Sequence, residues 1–516
     1  MSETRRATLV ATLTSPLSDD GDELRHLPPG VDWLEVRADL VGDLDPDWLR
    51  DRFAGGLIYT LRSRAEGGRF EGGRKARRQR FAAASAGFDL VDLEAERDLG
   101  RELLAEIPAE RRLVSWHGPG THLTGLRQRF ERVSREPARF YKLIPHANQS
   151  GDEIACLTLL HDLRRDDVIC FAAGDIGSWT RILAPRLGCP LIYGAFGDVA
   201  GAPGQLTVDK LHRDFGLPEL PDLEALFGIV GRPVAHSLSP RLHNGAYRAL
   251  GLPAQYVAFH AEAFGDFWIE VVEGDALPIL GLPLRGLSVT SPYKEVALAV
   301  SGASSPRAQY IEAANTLVWR DGVWEAESTD PEGVTLALTE RGLDPRGLRA
   351  AVVGCGGAGK AAAYGLSLAG AKVVLANRGE DRGKKASMEL GLPFVPLADF
   401  DPSRFDVLVH ATSLGHRADD PLAFDAGRVR QGAAVVDMVY DTAVHGLGPT
   451  PLLERASAAG AVAIDGRNVL LCQALEQFRL MTGRELPHEL AGELLALEAT
   501  PPGKGNGATP QEDGDP

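Results

Sequence analysis

Short apolar runs recur roughly every 25 residues through the first 216 residues, and this repeat constrains the fold more than any other feature. Polar segments with helical periodicity, such as DPDWLRDRF and DEIACLTLLHDLRR, separate the runs. The runs are ATLVATLTS, VDWLEVRAD, GLIYTLRS, FDLVDLEAE, RLVSWHG, RFYKLIPHA, DVICFAAGD and PLIYGAF. Eight strands that alternate with helices predict a (β/α)8 TIM barrel.

Polar residues fall late in these runs, and their spacing puts them on one face of each strand. Glu35, Arg37 and Asp39 lie two residues apart in WLEVRAD, so their side chains project from the same face. His117 ends one run, and Lys142 stands among apolar residues in RFYKLIPHA. Because barrel enzymes carry their chemistry at the carboxyl ends of the strands, we expect an active site there.

Lys142 has two interpretations from the residues alone. It is either a structural ammonium paired with a carboxylate or a desolvated amine that attacks a carbonyl group to form a Schiff base. His117 on the neighbouring strand favours the second, since an amine beside an imidazole supplies a nucleophile and a proton shuttle. Arg37, Arg62 and Arg181 would add the positive charge that an anionic substrate requires.

A glycine-rich motif, GCGGAG, marks a second function in the carboxyl-terminal half. It follows the apolar run RAAVV, precedes a helix-like segment and is followed by a second strand, AKVVLANR. Strand, turn and helix in this order indicate a Rossmann dinucleotide site with phosphates at the helix N-terminus. The second strand ends in Asn377-Arg378 instead of an acid, and Arg382 follows, which favours NADP over NAD.

These patterns divide the chain into five segments. LPELPDLEA carries two prolines and reads as a linker, whereas the residues from 500 onward are rich in Pro, Gly and acids and are expected to be disordered. The expected segments are a barrel (1–216), a linker (217–225), an α/β substrate-binding domain (226–331, completed by helix 467–495), a Rossmann domain (332–466) and a disordered tail (500–516).

Composition excludes several classes of protein. A formal charge of −16 and a pI near 5.4 argue against nucleic-acid or anionic-membrane surfaces. The five cysteines are scattered without a CxxC pair, which predicts neither disulfides nor a metal site. Neither a signal peptide nor a membrane-length apolar run is visible, so a cytoplasmic protein is expected. The sequence leaves the oligomeric state open.

The first 216 residues resemble type I 3-dehydroquinate dehydratase. The matching motifs are ExRxD at 35–39, TLRSRAEGG at 60–68, VDLE at 91–94, SWH at 115–117, YK at 141–142 and APGQ at 202–205. The resemblance implies that Lys142 is the Schiff-base nucleophile and His117 the general acid-base. The substrate-binding or supporting residues that it implies are Glu35, Arg37, Arg62, Glu66, Asp92, Arg181 and Gln205.

Most of residues 226–483 resembles shikimate dehydrogenase. The ordered motifs are HSxSPxxHN, VTxPxK, AxNT, TD, GxGGAG, NR, DxxVxATSxG and a late Gln473. The resemblance implies Lys294 and Asp330 as the catalytic pair. It implies that the substrate is bound by Ser237, Ser239, Thr290, Asn315 and Gln473. The implied cofactor-binding residues are Gly354, Gly356, Gly357, Ala358, Gly359, Asn377, Arg378, Arg382, Thr412 and Ser413.

Several positions depart from the usual residues of these families. In the barrel, Gly118 replaces an Asp and Gly201 replaces a Ser of the lid segment. In the second half the departures are Ser288, Ser328 and His410, where Asn is usual, and His416, where Met is usual. Ser288 and Ser328 neighbour predicted substrate contacts and therefore bear on ring specificity.

The product implied for the first part is the substrate implied for the second. The chain therefore resembles the fused enzyme that converts 3-dehydroquinate to 3-dehydroshikimate and then to shikimate, with NADP as cofactor. Two alternatives stay open at this point. In one alternative the second part is a quinate dehydrogenase. In the other the whole chain is a non-catalytic regulator that senses these intermediates. The regulator is disfavoured because the chain retains the implied catalytic residues Lys142, His117, Lys294 and Asp330.

Overall fold

The computed structural model describes residues 5–197, 199–417, 419–440 and 448–497. Contacts divide the chain into two compact units. The first contains the residues up to Val296 together with Leu317–Trp324, and the second contains Ala297–Thr316 and the residues from Glu325 onward. The predicted disordered tail, 500–516, lies outside the described residues.

Parallel strands in the first unit build the predicted barrel. Within the described ranges they lie in the order β7-β6-β5-β4-β3-β2-β1-β8, and each pairs in parallel with its neighbour along that order. The (β/α)8 fold class is confirmed. The strands are β1 (Thr8–Leu13), β2 (Val31–Arg37), β3 (Gly56–Thr60), β4 (Leu90–Glu94), β5 (Arg112–Pro119), β6 (Phe140–His146), β7 (Val168–Cys170) and β8 (Leu191–Phe196).

Helices alternate with these strands and present one apolar face to them. The last one shows how local sequence sets the limits of a helix, because the Thr207 hydroxyl accepts the Lys210 amide at its start and Gly216, at a φ of 76°, ends it. The α-helices of the barrel are Ala38–Val41, Pro46–Arg50, Arg74–Ala84, Arg101–Glu106, Leu123–Val133, Ile154–Leu163, Thr180–Leu183 and Val208–Phe215.

The predicted linker, 217–225, is partly ordered. Glu219–Leu220 pairs antiparallel with Arg5–Arg6, and the Leu217 and Leu220 side chains are buried. Leu217, Pro218 and Leu220 are therefore buried, whereas the rest of the segment is partly or fully exposed.

A second sheet follows the barrel. Its described strands are β9 (Ala225–Gly231), β10 (Ala254–His260), β11 (Leu284–Val289), β12 (Ala303–Ser304), β13 (Thr316–Arg320) and β14 (Val323–Glu327), in the order β10-β9-β11-β13-β14-β12. β9 pairs in parallel with both β10 and β11. The α-helices of this region are Ser239–Leu250, Phe264–Phe267, Ala276–Ile279, Lys294–Val300 and Pro306–Ile311.

Asn244 ties the barrel to this sheet within the first unit. Its buried amide nitrogen donates to the carbonyl groups of Asp214, at 2.9 Å, and Tyr256, at 2.8 Å. Its amide oxygen accepts from the Tyr256 backbone, at 2.7 Å, and from the Gln255 side chain, at 3.0 Å. All four hydrogen-bonding positions of the amide are used, so Asn244 holds three segments in one arrangement.

The third sheet belongs to the second unit and has the predicted Rossmann pattern. Its described strands are β15 (Arg349–Val353), β16 (Lys372–Asn377), β17 (Phe394–Pro396), β18 (Val407–His410), β19 (Ala434–Asp437) and β20 (Val462–Ile464). The parallel order β17-β16-β15-β18-β19-β20 reverses direction between β15 and β18, and such a switch point is where ligands bind in open α/β sheets.

The second unit contains helices that pack on this sheet and helices that pack on one another. They are Asp330–Glu340, Gly357–Leu368, Glu380–Leu390, Pro451–Ala458, Gly466–Thr482 and His488–Leu494. The expected single helix over 467–495 is two helices, because Gly483 adopts a φ of 69° and Pro487 follows it. The five cysteines are free and buried. Among the described residues, no helix is both long enough and apolar enough to cross a membrane.

Candidate active sites

A cavity of about 360 Å³ opens at the carboxyl ends of the barrel strands. Most of the predicted barrel residues line it, whereas Asp92 lies just beneath, within ion-pair distance of Lys142. The predicted lining residues are Glu35, Arg37, Arg62, Glu66, His117, Lys142, Arg181 and Gln205. Residues from six different strands and their loops therefore converge on one space at the carboxyl ends of the strands.

Lys142 lies at the base of this cavity in a buried, compensated position. Its Nζ is 3.8 Å from Glu35 Oε1 and 3.6 Å from Asp92 Oδ2, and it lies 4.0 Å from the centre of the Tyr193 ring. Burial lowers the pKa of Lys142, while the two carboxylates act in the opposite direction. An amine with a lowered pKa is more often neutral near pH 8, which a nucleophilic amine requires.

His117 and Glu66 form a hydrogen-bonded pair above Lys142. His117 Nδ1 lies 3.0 Å from Glu66 Oε2, and the same oxygen accepts the His117 backbone amide at 3.1 Å. Burial, followed by the charges of Arg62 and Lys142, lowers the pKa of His117 well below its usual value. Burial raises the pKa of Glu66 to about 8, although Arg62 opposes it. The pair is therefore neutral at pH 7.

Arg62 holds the carboxylates beneath the cavity together. Its guanidinium group donates to Asp92 at 2.7 Å and lies 3.4 Å from Glu66 and 3.6 Å from Glu94. Burial alone would raise the pKa of Asp92, but Arg62 and Lys142 outweigh burial and lower it. Arg62 thus compensates acids of the protein itself, so its charge is already engaged before any anion arrives.

Arg37 is also paired, and it positions the loop that crosses the cavity. It makes two 2.8 Å bonds to Asp39 and donates to the Gly201 carbonyl at 3.0 Å. The Gly201 amide in turn donates to Gln205 Oε1 at 2.8 Å. A side chain at Gly201 would begin 2.8 Å from Thr14 Cγ2, so the usual serine would have to displace Thr14 or the loop.

Arg181 is the buried cation of the cavity that lacks an acidic partner among the described residues. It donates to the Tyr193 carbonyl at 2.9 Å and stacks 4.3 Å from the Phe171 ring. Burial lowers the pKa of Arg181 to about 10. A buried cation without a counter-charge is costly, and a carboxylate in the cavity would relieve that cost. Of the three arginines predicted to bind an anion, Arg37 and Arg62 are thus paired with acids of the protein, and Arg181 is not.

Gly118, the other departure in the barrel, also has a structural reason. A Cβ at this position would lie 2.3 Å from the Trp116 ring, which is buried and stacks 4.8 Å from Arg129. The indole therefore takes the space that an aspartate side chain would need.

The first unit also carries four residues predicted to belong to the dehydrogenase. Ser239 begins the helix Ser239–Leu250, and its amide donates to the hydroxyl of Ser237, two residues before, at 3.2 Å. Thr290 follows β11, and Lys294 begins the helix Lys294–Val300. Ser288, where Asn is usual, accepts a hydrogen bond from the buried Tyr256 hydroxyl at 2.5 Å.

In the second unit, Asn315 and Asp330 are in direct contact. The Asn315 amide nitrogen donates to Asp330 Oδ1 at 2.7 Å and to the Thr329 hydroxyl at 2.9 Å, and its oxygen accepts the Thr329 amide. Gln477 donates to the Asn315 carbonyl at 3.1 Å. Gln473 lies one turn earlier on the same helix, with its Cβ near Gly333. Asn315 therefore holds Asp330 in place, and Gln477 holds Asn315.

The glycine-rich turn of the second unit has the backbone that a pyrophosphate requires. Gly354 has a φ of 113° and a Cβ there would lie 2.6 Å from the Ala411 carbonyl, whereas a Cβ at Gly359 would lie 1.9 Å from the Gly354 carbonyl. Gly356 caps the helix Gly357–Leu368, which also contains Ala358, so free amide groups face outward from the turn. Side chains are excluded where the turn folds on itself, and the helix N-terminus stays open.

Positively charged groups lie beside this turn. Arg382 donates to the Cys355 carbonyl at 3.1 Å, and Asn377 Oδ1 accepts the Cys355 amide at 3.2 Å. Arg378 is exposed just after β16. The residues present fit an NADP adenosine with a 2′-phosphate, because arginine stands where an acid would repel it.

Thr412, after β18, lies on the other side of the switch point. Its hydroxyl is 2.6 Å from His410 Nε2, and His410 Nδ1 is 2.8 Å from Asp437. The buried His410, where Asn is usual, thus links the carboxyl ends of β18 and β19. Ser413 is exposed, and it neighbours this network without a described hydrogen bond to it.

Sequence reasoning missed four residues of these sites. Tyr193 and His146 both line the barrel cavity, and Thr329 and Gln477 both hold Asn315. Strand parity could have found His146, because it lies on β6 two residues after Ile144 and four residues after Lys142. Nothing in the sequence pattern distinguishes Gln477 from the other polar residues of its helix.

A barrel with a buried lysine in its cavity, joined to a dinucleotide-binding unit, indicates an enzyme of two catalytic parts. Family models agree: residues 9–217 match type I 3-dehydroquinase, and residues 229–317 match the shikimate dehydrogenase substrate binding domain. The chain belongs to the family of bifunctional type I 3-dehydroquinate dehydratase/shikimate dehydrogenase proteins.

Known relatives cover both parts. A bifunctional 3-dehydroquinate dehydratase/shikimate dehydrogenase, chloroplastic, from Arabidopsis thaliana is 29% identical over 90% of this chain and 80% of its own length. An NADP(+) shikimate dehydrogenase from Methanothrix thermoacetophila is 37% identical over 51% of this chain and 93% of its own length. A solved structure of dehydroquinate dehydratase and shikimate dehydrogenase from S. pombe has 25% identity and a TM-score of 0.42, covering 95% of this chain and 98% of that one.

Proposed function

We propose that the chain catalyses two consecutive reactions of the shikimate pathway. The barrel dehydrates 3-dehydroquinate to 3-dehydroshikimate, and the second part reduces 3-dehydroshikimate to shikimate with NADPH. The observation that carries the first assignment is the buried Lys142 amine, which shares one cavity with the His117–Glu66 pair. Family membership supports the combination of the two activities.

In the barrel, Lys142 attacks the ketone of the substrate and forms an iminium ion, while the ketone oxygen takes up protons and leaves as water. Positive charge at this nitrogen is stabilised by Glu35 and Asp92, and by the Tyr193 ring beneath it. The iminium acidifies the adjacent carbon, from which His117 Nε2 removes a proton while Glu66 holds Nδ1. The protonated His117 then assists loss of the neighbouring hydroxyl as water, and hydrolysis of the imine frees Lys142.

The substrate carboxylate is assigned to Arg181. Arg37 and Arg62 are already paired with acids, whereas Arg181 has no acidic partner among the residues described. Gln205 and the Gly201 backbone close the cavity, held in register by Arg37. This division gives two arginines positioning roles and one a binding role.

In the second part, Lys294 and Asp330 are proposed to deliver and stabilise the proton at the developing alkoxide. Ser237 and Ser239, at a helix N-terminus, suit the substrate carboxylate. Thr290, Asn315 and Gln473 are assigned to the ring hydroxyls. Asn315 also fixes Asp330 through a 2.7 Å bond, so its replacement should affect both binding and proton transfer.

NADP supplies a hydride when it is bound. The proposed cofactor contacts of the turn are Gly354, Gly356, Gly357, Ala358 and Gly359, and Asn377, Arg378 and Arg382 are assigned to the adenosine phosphate. Thr412 and Ser413 are assigned to the nicotinamide end, because they follow β18 at the switch point.

Borohydride trapping tests the first reaction. Wild-type protein incubated with 3-dehydroquinate and borohydride should gain one covalent adduct, located at Lys142 by peptide mass spectrometry. Lys142→Arg should gain none and should lose dehydration, and the matched control Lys75→Arg, on the barrel surface, should behave as wild type. Dehydration that persists in Lys142→Arg would exclude the nucleophile assignment.

A coupled assay tests the second reaction. After 3-dehydroquinate has been converted and its enone absorbance has appeared, addition of NADPH should consume both NADPH and the enone. The reverse reaction distinguishes the alternative substrate: NADP-dependent oxidation of shikimate should exceed that of quinate. Enone formation without NADPH consumption would remove the second assignment and leave the first.

The remaining parts of the proposal concern organisation and location. We propose that the segments 1–216, 226–331 and 332–466 act as dehydratase, substrate-binding and NADP-binding domains. Five buried, free cysteines support a reducing, cytoplasmic compartment. The partners that we propose are the small-molecule substrates, without nucleic acid or membrane.

A further inference from the structure

His146 is a second histidine in the dehydratase cavity, and the reaction described above gives it no role. It is the last residue of β6, the strand that carries Lys142. Lys142, Ile144 and His146 alternate with outward residues, and all three line the cavity. In the barrel register, Lys142 is level with Ser115, Ile144 with His117, and His146 with Pro119.

This register places His146 nearest to the mouth of the cavity. One step of two residues along a parallel strand is about 6.6 Å, so His146 lies about 7 Å further along β6 than Ile144, the residue level with His117. The bond formed at Lys142 and the proton removed by His117 both lie below it. A six-membered ring attached to Lys142 extends about 5 Å from the imine carbon to its farthest oxygen, given ordinary bond lengths near 1.5 Å. His146 is therefore within reach of the oxygens that point away from the imine.

The surroundings of the His146 ring leave it available to a ligand. Gly174 lies against the ring, since a Cβ there would be 2.9 Å from His146 Cε1 and 3.2 Å from Nε2. No ring nitrogen of His146 has a hydrogen bond or ion pair within the part of the chain that the structure describes. An imidazole that lines a cavity without a partner among the described residues has its hydrogen-bonding capacity free.

The same glycine connects His146 to the loop over the cavity. The Gly174 amide donates to the Pro203 carbonyl at 3.1 Å, and a Cβ on Gly204 would lie 2.3 Å from the Gly174 carbonyl. Pro203 and Gly204 belong to the loop that Arg37 and Gln205 hold across the cavity. His146 thus lies where the end of β6, Gly174 and this loop meet, at the entrance that a substrate must pass.

We propose that His146 is a substrate-binding residue of the dehydratase, which hydrogen-bonds an oxygen on the mouth side of the substrate ring. This inference rests on the proposed dehydratase function. His146 contributes to affinity and not to the chemical step, because the reacting carbon atoms lie at the level of Lys142 and His117. An imidazole N–H donates to hydroxyl and carboxylate oxygens alike, so His146 can bind either kind of substrate oxygen.

Steady-state kinetics with 3-dehydroquinate test the proposal. His146→Leu should raise KM about 10-fold and leave kcat within about twofold. A 10-fold loss of substrate affinity is expected when a hydrogen bond to a charged or strongly polar group is removed. His146→Gln keeps a donor and should raise KM by less than about threefold. His161→Leu, on the helix that follows β6, is the matched control and should match wild type.

Two further measurements keep the test decisive. Oxidation of shikimate by the same preparations reports on folding, because that reaction uses other residues of the chain. Borohydride trapping at saturating substrate should label Lys142 equally in wild type and His146→Leu. An unchanged KM in His146→Leu, or a lower kcat with unchanged KM, would overturn the role of His146. An inactive wild type would instead overturn the proposed dehydratase function.

Discussion

The Glu66–His117 pair leads to a pH profile that follows from its geometry. Burial raises the pKa of Glu66 to about 8 and lowers that of His117 well below its usual value, so the pair is neutral at pH 7. When the pair loses one proton, Glu66 becomes a carboxylate that accepts His117 Nδ1–H at 3.0 Å, and Nε2 keeps a free lone pair. This singly deprotonated pair is the base of the proposed dehydration, and the titration belongs to the pair as a unit.

The magnitude follows from the pKa. A group with a pKa of about 8 is ionised to about 1% at pH 6, about 9% at pH 7 and one half at pH 8. A raised pKa means that the folded protein keeps the proton to higher pH, so activity that needs the anion is gained as the pH rises. We expect kcat/KM to increase about tenfold between pH 6 and 7 and to level off above pH 9. The substrate carboxylate does not titrate here, because carboxylates titrate near pH 4.

The assay is enone formation from 3-dehydroquinate across this range in wild type and Glu66→Gln. Glutamine cannot ionise, so the variant should lose the rise centred near pH 8 and keep a low, flat activity. Glu71→Gln is the matched control, since Glu71 is exposed and pairs with Arg64. A rise near pH 8 that persists in Glu66→Gln would refute the assignment and point to Lys142, whose pKa burial also lowers. A flat wild-type profile from pH 6 to 8 would refute it as well.

Three further substitutions have expected outcomes. Tyr193→Leu removes the ring that lies 4.0 Å from Lys142 Nζ, and it should lower the dehydratase kcat about 10- to 30-fold. Tyr193→Phe keeps the ring and should not lower kcat. A lower kcat in both variants would assign the effect to the hydroxyl group. Gly201→Ser restores the usual residue and should raise the dehydratase KM about fivefold, because the serine Cβ would begin 2.8 Å from a Thr14 methyl group. A lower KM would show that the loop accommodates the serine side chain. Arg382→Ala should raise the KM for NADPH about 10-fold or more and leave the KM for NADH nearly unchanged. Equal increases in both KM values would contradict the assignment of Arg382 to the 2′-phosphate.

Strand parity predicted the part of the barrel site that lies on the strands, because a side chain two residues away on a strand must point to the same side. Glu35, Lys142 and His117 reach the cavity for this reason. Parity does not predict which charges are already neutralised. Arg37 and Arg62 look equivalent to Arg181 in the sequence, yet the first two are paired with Asp39 and Asp92. Ion pairs between distant segments depend on the register of the whole barrel, which no single segment encodes.

The departures from the family pattern were visible in the sequence, but their causes were not. Gly118 and Gly201 read there as lost functional groups. In the structure, the space near Gly118 is filled by Trp116, and Gly201 serves as a backbone donor and acceptor for Gln205 and Arg37. Packing of this kind depends on three-dimensional neighbours and leaves no periodic signal.

Asn244 bears on whether the dehydratase and dehydrogenase parts could be expressed as separate proteins. Its amide uses the Asp214 carbonyl of the last barrel helix together with backbone groups of β10, so a break between these segments leaves buried donors and acceptors on both fragments. Each unmet buried group costs about 1–3 kcal/mol, a large share of the net stability of an ordinary domain. A dehydratase fragment and a dehydrogenase fragment expressed separately would therefore be expected to be less stable than the fused chain, and to regain stability when produced together. The barrel and the substrate-binding sheet are therefore joined by buried hydrogen bonds as well as by the chain itself.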